Sequence, residues 1–226
     1  MIKNILIDLD GTILDFKKSE RQAFIESFED YVLRKPTEEE IKRFSELNDF
    51  YYKEYQNGNI SRDRFHDLRF KTLFEEFNIN EIYVLVNEMY MELLAYKADI
   101  YNDTVETLLY LKAKGYRLCV ASNGLSYVQA KRLKLAGLSH YFNKFYVSED
   151  LGFNKPDINF FNLIFKDLND HNIDNYVIIG DRLDSDIIGG KKAGIKTIYI
   201  NRDNIINNQI IPDYEIKELS ELRNIL

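Results

Sequence analysis

Cysteine is almost absent from this 226-residue sequence. Its one cysteine, Cys119, lies in the apolar run RLCVA, so no disulfide can form within the chain. A cysteine in such a run usually packs as a small buried hydrophobic residue. No stretch approaches the roughly 20 apolar residues of a membrane-spanning helix, and Asp8 and Asp10 interrupt the apolar N-terminal stretch before it can form a signal peptide. These absences predict a soluble protein of the reducing cytoplasm, with no membrane partner.

Positive charge is also in deficit. The 30 Lys and Arg residues against 37 Asp and Glu residues give a formal net charge of −7, which argues against a general nucleic-acid-binding protein. An anionic substrate would therefore need local cations to offset the field of the chain. The length allows one large domain or one domain with an insertion, and 45% hydrophobic residues suffice for a sizeable core. We expect a monomer or a homodimer.

The most informative stretch is residues 4–15, NILIDLDGTILD. The apolar run Ile5–Ile7 is typical of a fully buried strand in a parallel sheet. It ends in two carboxylates, Asp8 and Asp10, and the carboxyl ends of such strands are where ligands bind. Two carboxylates this close repel each other unless a cation lies between them. The stretch therefore predicts a Mg²⁺ site with a nucleophilic aspartate.

Two other interpretations fit parts of this stretch. A strand followed by an ordinary Asp-Gly turn would carry the same residues without any chemistry. A calcium-binding EF-hand loop also begins with two alternate acids, but it needs a glutamate at its twelfth position. That position, counted from Asp8, is Ser19, which excludes the EF-hand.

Residues 16–98 have helical periodicity and no clear strand pattern. Thr37 is expected to cap a helix, with Glu40 completing a capping box, and Ser61 is expected to cap the next. A further helix is predicted at 81–97. The stretch is interpreted as an all-helical insertion. Three of its arginines follow the break at Gly58 and are expected to be solvated, with contact of one of them with the substrate as the alternative: Arg62, Arg64 and Arg69.

The rest of the chain alternates between helices and strands. Helices are predicted at 104–114, 125–136, 157–168 and 184–193, strands at 117–121, 144–147, 176–179 and 197–200, and a final helix at 216–226. Such alternation indicates βαβ units with right-handed crossovers. The predicted fold is α/β, a doubly wound parallel, Rossmann-like sheet, with a catalytic core at 1–15 and 99–226 and a helical cap at 16–98.

Polar residues follow three further strands of the predicted sheet. Ser122 and Asn123 come at a helix N-terminus, where a hydroxyl and backbone N–H groups can hold a phosphate; an ordinary N-cap would look the same. Lys155 precedes a Pro-Asp helix opening, and taken alone it would be a solvated lysine. Three acids follow the fourth strand: Asp181, Asp184 and Asp186. Such acids are costly to bury without a cation. Asp184 or Asp186 could instead cap a helix.

Taken together, these motifs resemble the haloacid-dehalogenase superfamily of phosphohydrolases. The resemblance rests on DLDGT at 8–12, SNG at 122–124, KPD at 155–157 and GDRLDSD at 180–186. It implies that Asp8 is the nucleophile and Asp10 the general acid and base. It further implies metal ligands at Asp8, Asp181 and, through its backbone carbonyl, Asp10, with Asp186 helping to orient the metal. The phosphate-binding residues would be Ser122, Asn123 and Lys155, and Asp184 has no assigned role.

The resemblance also narrows the expected reaction. A Mg²⁺-dependent phosphomonoesterase acting through an aspartyl-phosphate needs the second aspartate, Asp10, which the dehalogenases lack. The stretches DLDGTILDF, KPDINFF and GDRLDSDIIGGKKAG are similar to bacterial 5′-nucleotidases that act on pyrimidine nucleotides. Related subfamilies hydrolyse sugar phosphates or phosphoglycolate, and a sugar phosphomutase shares the fold. A phospho-accepting receiver module is the rival outside enzymes, although the length and the helical insertion argue against it.

Overall fold

The computed structural model describes residues 2–226 of the chain. Tertiary contacts divide them into two compact units, one formed by residues 2–16 with 98–226 and the other by residues 17–97. That these units act as a catalytic core and a cap stays a prediction. No helix within residues 2–226 is both long enough and apolar enough to cross a membrane.

A six-stranded parallel sheet forms the larger unit. Its strands are β1 Asn4–Ile7, β2 Arg117–Ser122, β3 Lys144–Val147, β4 Tyr176–Gly180, β5 Lys196–Ile200 and β6 Tyr214–Ile216. They lie in the order β3-β2-β1-β4-β5-β6. The chain builds outward from β1 in one direction and then, from β4, in the other, so the topological switch point is at β1. The predicted α/β fold with a doubly wound parallel sheet is confirmed.

Helices alternate with the strands and also form the smaller unit. They are α1 Phe16–Val32, α2 Glu38–Gln56, α3 Arg62–Glu76, α4 Tyr83–Tyr96, α5 Thr104–Ala113, α6 Ser126–Leu135, α7 Ser148–Leu151, α8 Ile158–Asp167 and α9 Ile188–Lys192. Alternate residues of β1 face opposite sides of the sheet, so Ile5 and Ile7 enter one hydrophobic cluster and Leu6 the other. Both faces are thus covered, which is why β1 is a continuous apolar run. Cys119 is buried in the second cluster, as predicted.

The C-terminal segment differs from the sequence prediction. The helix expected at 216–226 is shorter and of a different type, because Ile216 ends β6, which pairs with β5, and the helix that follows is a 3₁₀ helix, Leu219–Asn224. Asp213 fixes the start of β6, since its carboxylate accepts hydrogen bonds from the backbone N–H and hydroxyl of Thr197. The helix expected at 184–193 also changes form, beginning as a π-helical turn at Leu183–Ile187 before α9.

The smaller unit, residues 17–97, is helical throughout its regular structure. Both predicted caps are confirmed: Thr37 forms a capping box with Glu40, and the Ser61 hydroxyl accepts from the backbone N–H of Arg64. Aromatic rings form the centre of this unit, with ring centroids 4.3 Å apart for Phe24 and Phe44. Interlocked rings of this kind bury a large apolar area and stabilise the helix packing.

A polar group lies among these rings. Arg69 is only 3% exposed, so its prediction as a solvated residue is wrong. Its guanidinium lies over the rings of Phe65 and Tyr90 and donates to Asn48 Oδ1 at 2.6 Å. Asn48 in turn donates to buried Glu20 at 2.7 Å. The aromatic surroundings stabilise the cation where water cannot.

Glu20 is expected to make stability depend on pH. Burial raises the pKa of Glu20 from its ordinary 4.5 to about 7. Between those values the folded chain binds more protons than the unfolded chain, so stability is lost as pH rises through that window, by at most about 3 kcal/mol. The free energy of unfolding should therefore fall less between pH 5 and pH 8 in Glu20→Gln than in the wild type, by up to about 3 kcal/mol. Urea unfolding followed by circular dichroism measures it.

The matched control is Asp30→Asn, which removes an exposed acid from the same helix. It should keep the wild-type dependence on pH, because this substitution leaves the buried Glu20 carboxyl in place. An unchanged pH dependence in Glu20→Gln would show that this carboxyl is not the source.

Candidate active site

The predicted site residues meet at the carboxyl edge of the sheet. Asp8 directly follows β1, Ser122 ends β2 and Asp181 directly follows β4. The sheet order places β1 between β2 and β4. The backbone N–H of Asp8 still donates to Ile179 O at 2.9 Å, so the ladder holds this residue in place. A rigid sheet edge therefore positions the three side chains.

Lys155 reaches this edge from the loop between α7 and α8 and is 1% exposed. Its ammonium donates to Asp8 Oδ1 at 2.7 Å, to Asp186 Oδ1 at 2.6 Å and to the carbonyl of Ala121. These contacts match the three donors of an ammonium group. The alternative of a solvated surface lysine is excluded, and Lys155 links two carboxylates.

Both of these carboxylates belong to a cluster of three: Asp8, Asp181 and Asp186 each offer an oxygen within 4.8 Å of the others. Within residues 2–226, Asp181 Oδ1 is buried without a hydrogen-bond partner. Three carboxylates against one ammonium leave two formal negative charges at the centre of the site. Mg²⁺ takes oxygen ligands and carries the complementary charge, so these residues fit a divalent cation.

The pKa values of Asp8, Asp181 and Lys155 are shifted by burial and by this excess of negative charge. Burial raises the pKa of Asp8 to about 7, and although Lys155 opposes this, Asp186 raises it further. Burial, followed by the charges of Asp8 and Asp186, also raises the pKa of Asp181 well above its ordinary range. Burial disfavours the charge of Lys155, but Asp186 and Asp8 raise its pKa overall. The ammonium therefore stays charged, while the carboxylates lack sufficient positive charge around them.

Two glycines make this crowding possible. Gly11 has φ +78°, a conformation that favours glycine, and a Cβ there would lie 2.0 Å from Asp181 Oδ2. A Cβ on Gly180 would lie 2.2 Å from the Asp186 carboxyl carbon. Any side chain at either position would displace a carboxylate of the cluster.

Asp10 lies outside the cluster of three carboxylates. Its Oδ1 accepts a hydrogen bond from Arg132 Nη1, and its Oδ2 accepts one from Gln129 Nε2 at 2.5 Å. Neither partner belongs to the sequence motifs that predict the site. A detectable sign was two polar residues three apart on α6, at positions that the neighbouring Val128 and Leu133 mark as buried. The side chain of Asp10 is therefore held by α6, apart from the carboxylate cluster.

Ser122 and Asn123 have different surroundings. Ser122 Oγ accepts from Gln129 Nε2 at 3.1 Å and from the backbone N–H of Gly124 at 3.2 Å, which leaves its own O–H to donate. The Asn123 carboxamide donates to Lys155 O and accepts from Lys155 N, both at 2.8 Å. Asn123 thus fixes the backbone of Lys155, and a contact of Asn123 with phosphate would come from its main-chain N–H.

The two remaining acids of the fourth-strand motif separate. Asp186 is 1% exposed, and its Oδ2 accepts from the backbone N–H of Arg182 at 3.2 Å. Asp184 instead pairs with the Arg182 side chain at 2.9 Å and is partly exposed. Asp186 therefore belongs to the carboxylate cluster and Asp184 lies beside it.

Comparison with known proteins agrees with this fold and with the acidic site at the carboxyl edge of the sheet. Residues 5–200 match the family of haloacid dehalogenase-like hydrolases. The HAD-hydrolase YfnB of Bacillus subtilis is 33% identical over 226 residues, covering 99% of this chain and 95% of YfnB. The pyrimidine 5′-nucleotidase PynA of Streptococcus pneumoniae is 30% identical, covering 99% and 94%. A glyceraldehyde 3-phosphate phosphatase of Methanothermobacter thermautotrophicus is 29% identical and covers 100% of both chains.

The similarity extends to a solved structure. A crystal structure of YfnB bound to magnesium, which reveals interdomain movement, superposes with a TM-score of 0.94 and covers 100% of this chain and 98% of that one. The chain belongs to the haloacid dehalogenase-like hydrolases. Asp10 and the carboxylate cluster support a phosphatase among them.

Proposed function

We propose that this chain is a Mg²⁺-dependent phosphomonoester hydrolase that acts through an aspartyl-phosphate on Asp8, with pyrimidine nucleoside 5′-monophosphates as substrates. The observation that carries the proposal is the cluster of Asp8, Asp181 and Asp186, two of which pair with Lys155. Among the residues that the structure describes, Asp181 Oδ1 is buried without a hydrogen-bond partner. An acid-base residue, Asp10, lies two positions beyond the nucleophile and outside that cluster.

The metal would be held by Asp8, by Asp181 and by the backbone carbonyl of Asp10, with Asp186 alongside. When bound, Mg²⁺ supplies positive charge that offsets the repulsion between a carboxylate nucleophile and a phosphate dianion. Lys155 supplies a further positive charge and fixes the rotamer of Asp8 through its 2.7 Å hydrogen bond. The phosphoryl oxygens would accept hydrogen bonds from the Lys155 ammonium, which also donates to the carboxylates, and from the Ser122 hydroxyl.

Asp10 then gives one proton in the first chemical step and takes one back in the second. An Asp8 oxygen attacks phosphorus, the bond to the ester oxygen breaks, and Asp10 gives its proton to the departing alkoxide. Asp10, now ionised, takes a proton from the water that attacks the aspartyl-phosphate. Hydrolysis releases phosphate and restores both carboxyl groups, so one residue serves both steps.

The choice of nucleotide rests on the motif similarity and on the relative PynA, whose name states that activity. Phosphorylated sugars and phosphoglycolate form the second candidate class, favoured by the glyceraldehyde 3-phosphate phosphatase relative at a similar identity. Both classes use the same Asp8 chemistry and differ only in the leaving group.

The test is a screen of phosphate release in Mg²⁺ with UMP, dTMP, glyceraldehyde 3-phosphate, phosphoglycolate and glucose 1-phosphate. We expect the highest kcat/KM with a pyrimidine nucleotide, and Asp8→Asn prepared in parallel controls for contaminating phosphatases. A preference for a sugar phosphate would overturn the substrate assignment. Turnover that requires a bisphosphate activator would indicate a mutase, and a single slow self-dephosphorylation would indicate a receiver module.

Removing the metal should abolish activity. Chelation by EDTA is expected to stop phosphate release, and Asp181→Asn should raise the Mg²⁺ concentration for half-maximal activity by at least about tenfold, as even indirect supporting residues of metal sites contribute that much. Mg²⁺ should also raise the melting temperature of the wild type, and less that of Asp181→Asn. Asp184→Asn is the matched control and should keep the wild-type requirement. Full activity in chelator would contradict the metal site.

A further inference from the structure

We propose that Arg132 and Gln129 of α6 are positioning residues that hold the Asp10 carboxyl in the orientation needed for proton transfer. The inference rests on the proposed function, in which Asp10 gives and then takes a proton. It concerns two side chains that neither the sequence motifs nor the general acid-base assignment includes.

The first observation is that each Asp10 oxygen has its own donor. Arg132 Nη1 donates to Oδ1, and Gln129 Nε2 donates to Oδ2 at 2.5 Å. Both donors come from one turn of one helix and are 1% and 2% exposed. A carboxyl group whose two oxygens each accept a hydrogen bond from a buried donor cannot rotate freely about its Cβ–Cγ bond, so its plane is fixed. Each oxygen accepts only one of these bonds, so a second position remains for the transferred proton.

The second observation is that Gln129 links two predicted functions. Its Nε2 also lies 3.1 Å from Ser122 Oγ, while its Oε1 lies 3.3 Å from Arg132 Nη1. A Cβ on Gly124 would lie 2.5 Å from Gln129 Nε2, so glycine there provides the space that the amide occupies. One amide therefore holds the acid-base carboxyl and the phosphate-binding hydroxyl in a fixed relation.

The third observation concerns the cost of this arrangement. Replacing both members of a buried ion pair with apolar side chains of similar volume often leaves a protein equally stable. Stability therefore gives little reason for the pair of Arg132 and Asp10. The need to hold Asp10 in place does give one, because both proton transfers need hydrogen-bond reach, and a displacement of about 1 Å can cost about 100-fold in rate.

The test compares Arg132→Met and Gln129→Met with the wild type by rapid quench. For a nucleoside monophosphate we expect phosphorylation of Asp8 to slow by about 10–100-fold in both variants. KM should change little in Arg132→Met and should rise in Gln129→Met, which also removes the hydrogen bond to Ser122 Oγ. Phosphorylation by p-nitrophenyl phosphate should slow much less, because nitrophenolate leaves without a proton. Hydrolysis of the aspartyl-phosphate should slow equally with both substrates, because the intermediate is the same. Lys134→Met, on the exposed side of α6, is the matched control and should behave as wild type.

A double-mutant cycle with Asp10→Asn separates positioning from other roles. If Arg132 acts through Asp10, Arg132→Met should cause no further loss in the Asp10→Asn background. Arg132→Lys should recover part of the rate, since an ammonium can still donate to one Asp10 oxygen. Multiplicative losses, or equal slowing of phosphorylation by both substrates, would overturn the proposal and indicate a role in phosphate binding or folding.

The failure of this proposal is distinguishable from that of the proposed function. An active wild type with unaffected Arg132 and Gln129 variants overturns only the positioning role, whereas a wild type that releases no phosphate from any substrate overturns both. If Arg132→Met does not fold by circular dichroism, Gln129→Met and Arg132→Lys carry the same cycle to the same decision.

Discussion

Asp8→Asn is expected to lose at least about 10⁴-fold in phosphate release, because removal of a covalent nucleophile abolishes the step on which all others depend. A neutral amide is too weak a nucleophile to attack phosphorus. The fold should persist, since the introduced amide oxygen can still accept from Lys155. Initial rates with a nucleoside monophosphate and circular dichroism measure the two effects.

The stability of this variant has an expected sign. Since burial raises the pKa of Asp8 to about 7, its ionised form destabilises the metal-free protein above that pH. In EDTA at pH 8 the melting temperature of Asp8→Asn should therefore be at least that of wild type. Asp184→Asn, a partly exposed acid beside the cluster, should change neither activity nor stability appreciably. Retained turnover in Asp8→Asn would refute the assignment of the nucleophile.

Asp10→Asn should separate the two chemical steps. A nucleoside alkoxide is a poor leaving group, so its phosphoryl transfer should slow by about 10²–10⁴-fold without the general acid. A p-nitrophenolate needs little help, so transfer from p-nitrophenyl phosphate should slow less. Hydrolysis of the aspartyl-phosphate should slow equally with both substrates, because the intermediate is the same. With p-nitrophenyl phosphate, rapid quench should reveal a burst of nitrophenol followed by a slow steady rate.

The control for this experiment is built into the chain. The backbone carbonyl of residue 10 is unchanged in Asp10→Asn, so its Mg²⁺ requirement should stay near that of wild type, unlike that of Asp181→Asn. Loss of the first step to the same extent with both substrates, without a burst, would mean that Asp10 supports the metal or the fold.

The sequence predicts those site residues that lie at the ends of strands. Asp8, Ser122 and Asp181 follow strands that lie side by side, and the order of a doubly wound sheet brings such ends together. The sequence alone does not predict that Lys155 is buried, because a lysine before a turn is usually solvated. Only the fold places its ammonium between Asp8 and Asp186.

Other features depend on tertiary contacts that a sequence pattern does not contain. Gln129 and Arg132 occupy a helix with scattered polar residues, and which of these face the sheet edge is decided by packing. Arg69 is buried because three helices, α2, α3 and α4, supply four aromatic rings around it. The strand β6 has three residues, too few for an alternating pattern, and it forms because β5 offers an open edge.

The most direct test of the central claim is chemical trapping of the covalent intermediate. The Asp10→Asn variant would be mixed with Mg²⁺ and substrate, quenched in acid within the burst and treated with borohydride, which reduces an acyl phosphate to an alcohol. Peptide mass spectrometry should then find homoserine at position 8, and Asp8→Asn treated in parallel should give none. Reduction at any other carboxylate, or no reduction despite a nitrophenol burst, would contradict the nucleophilic role of Asp8.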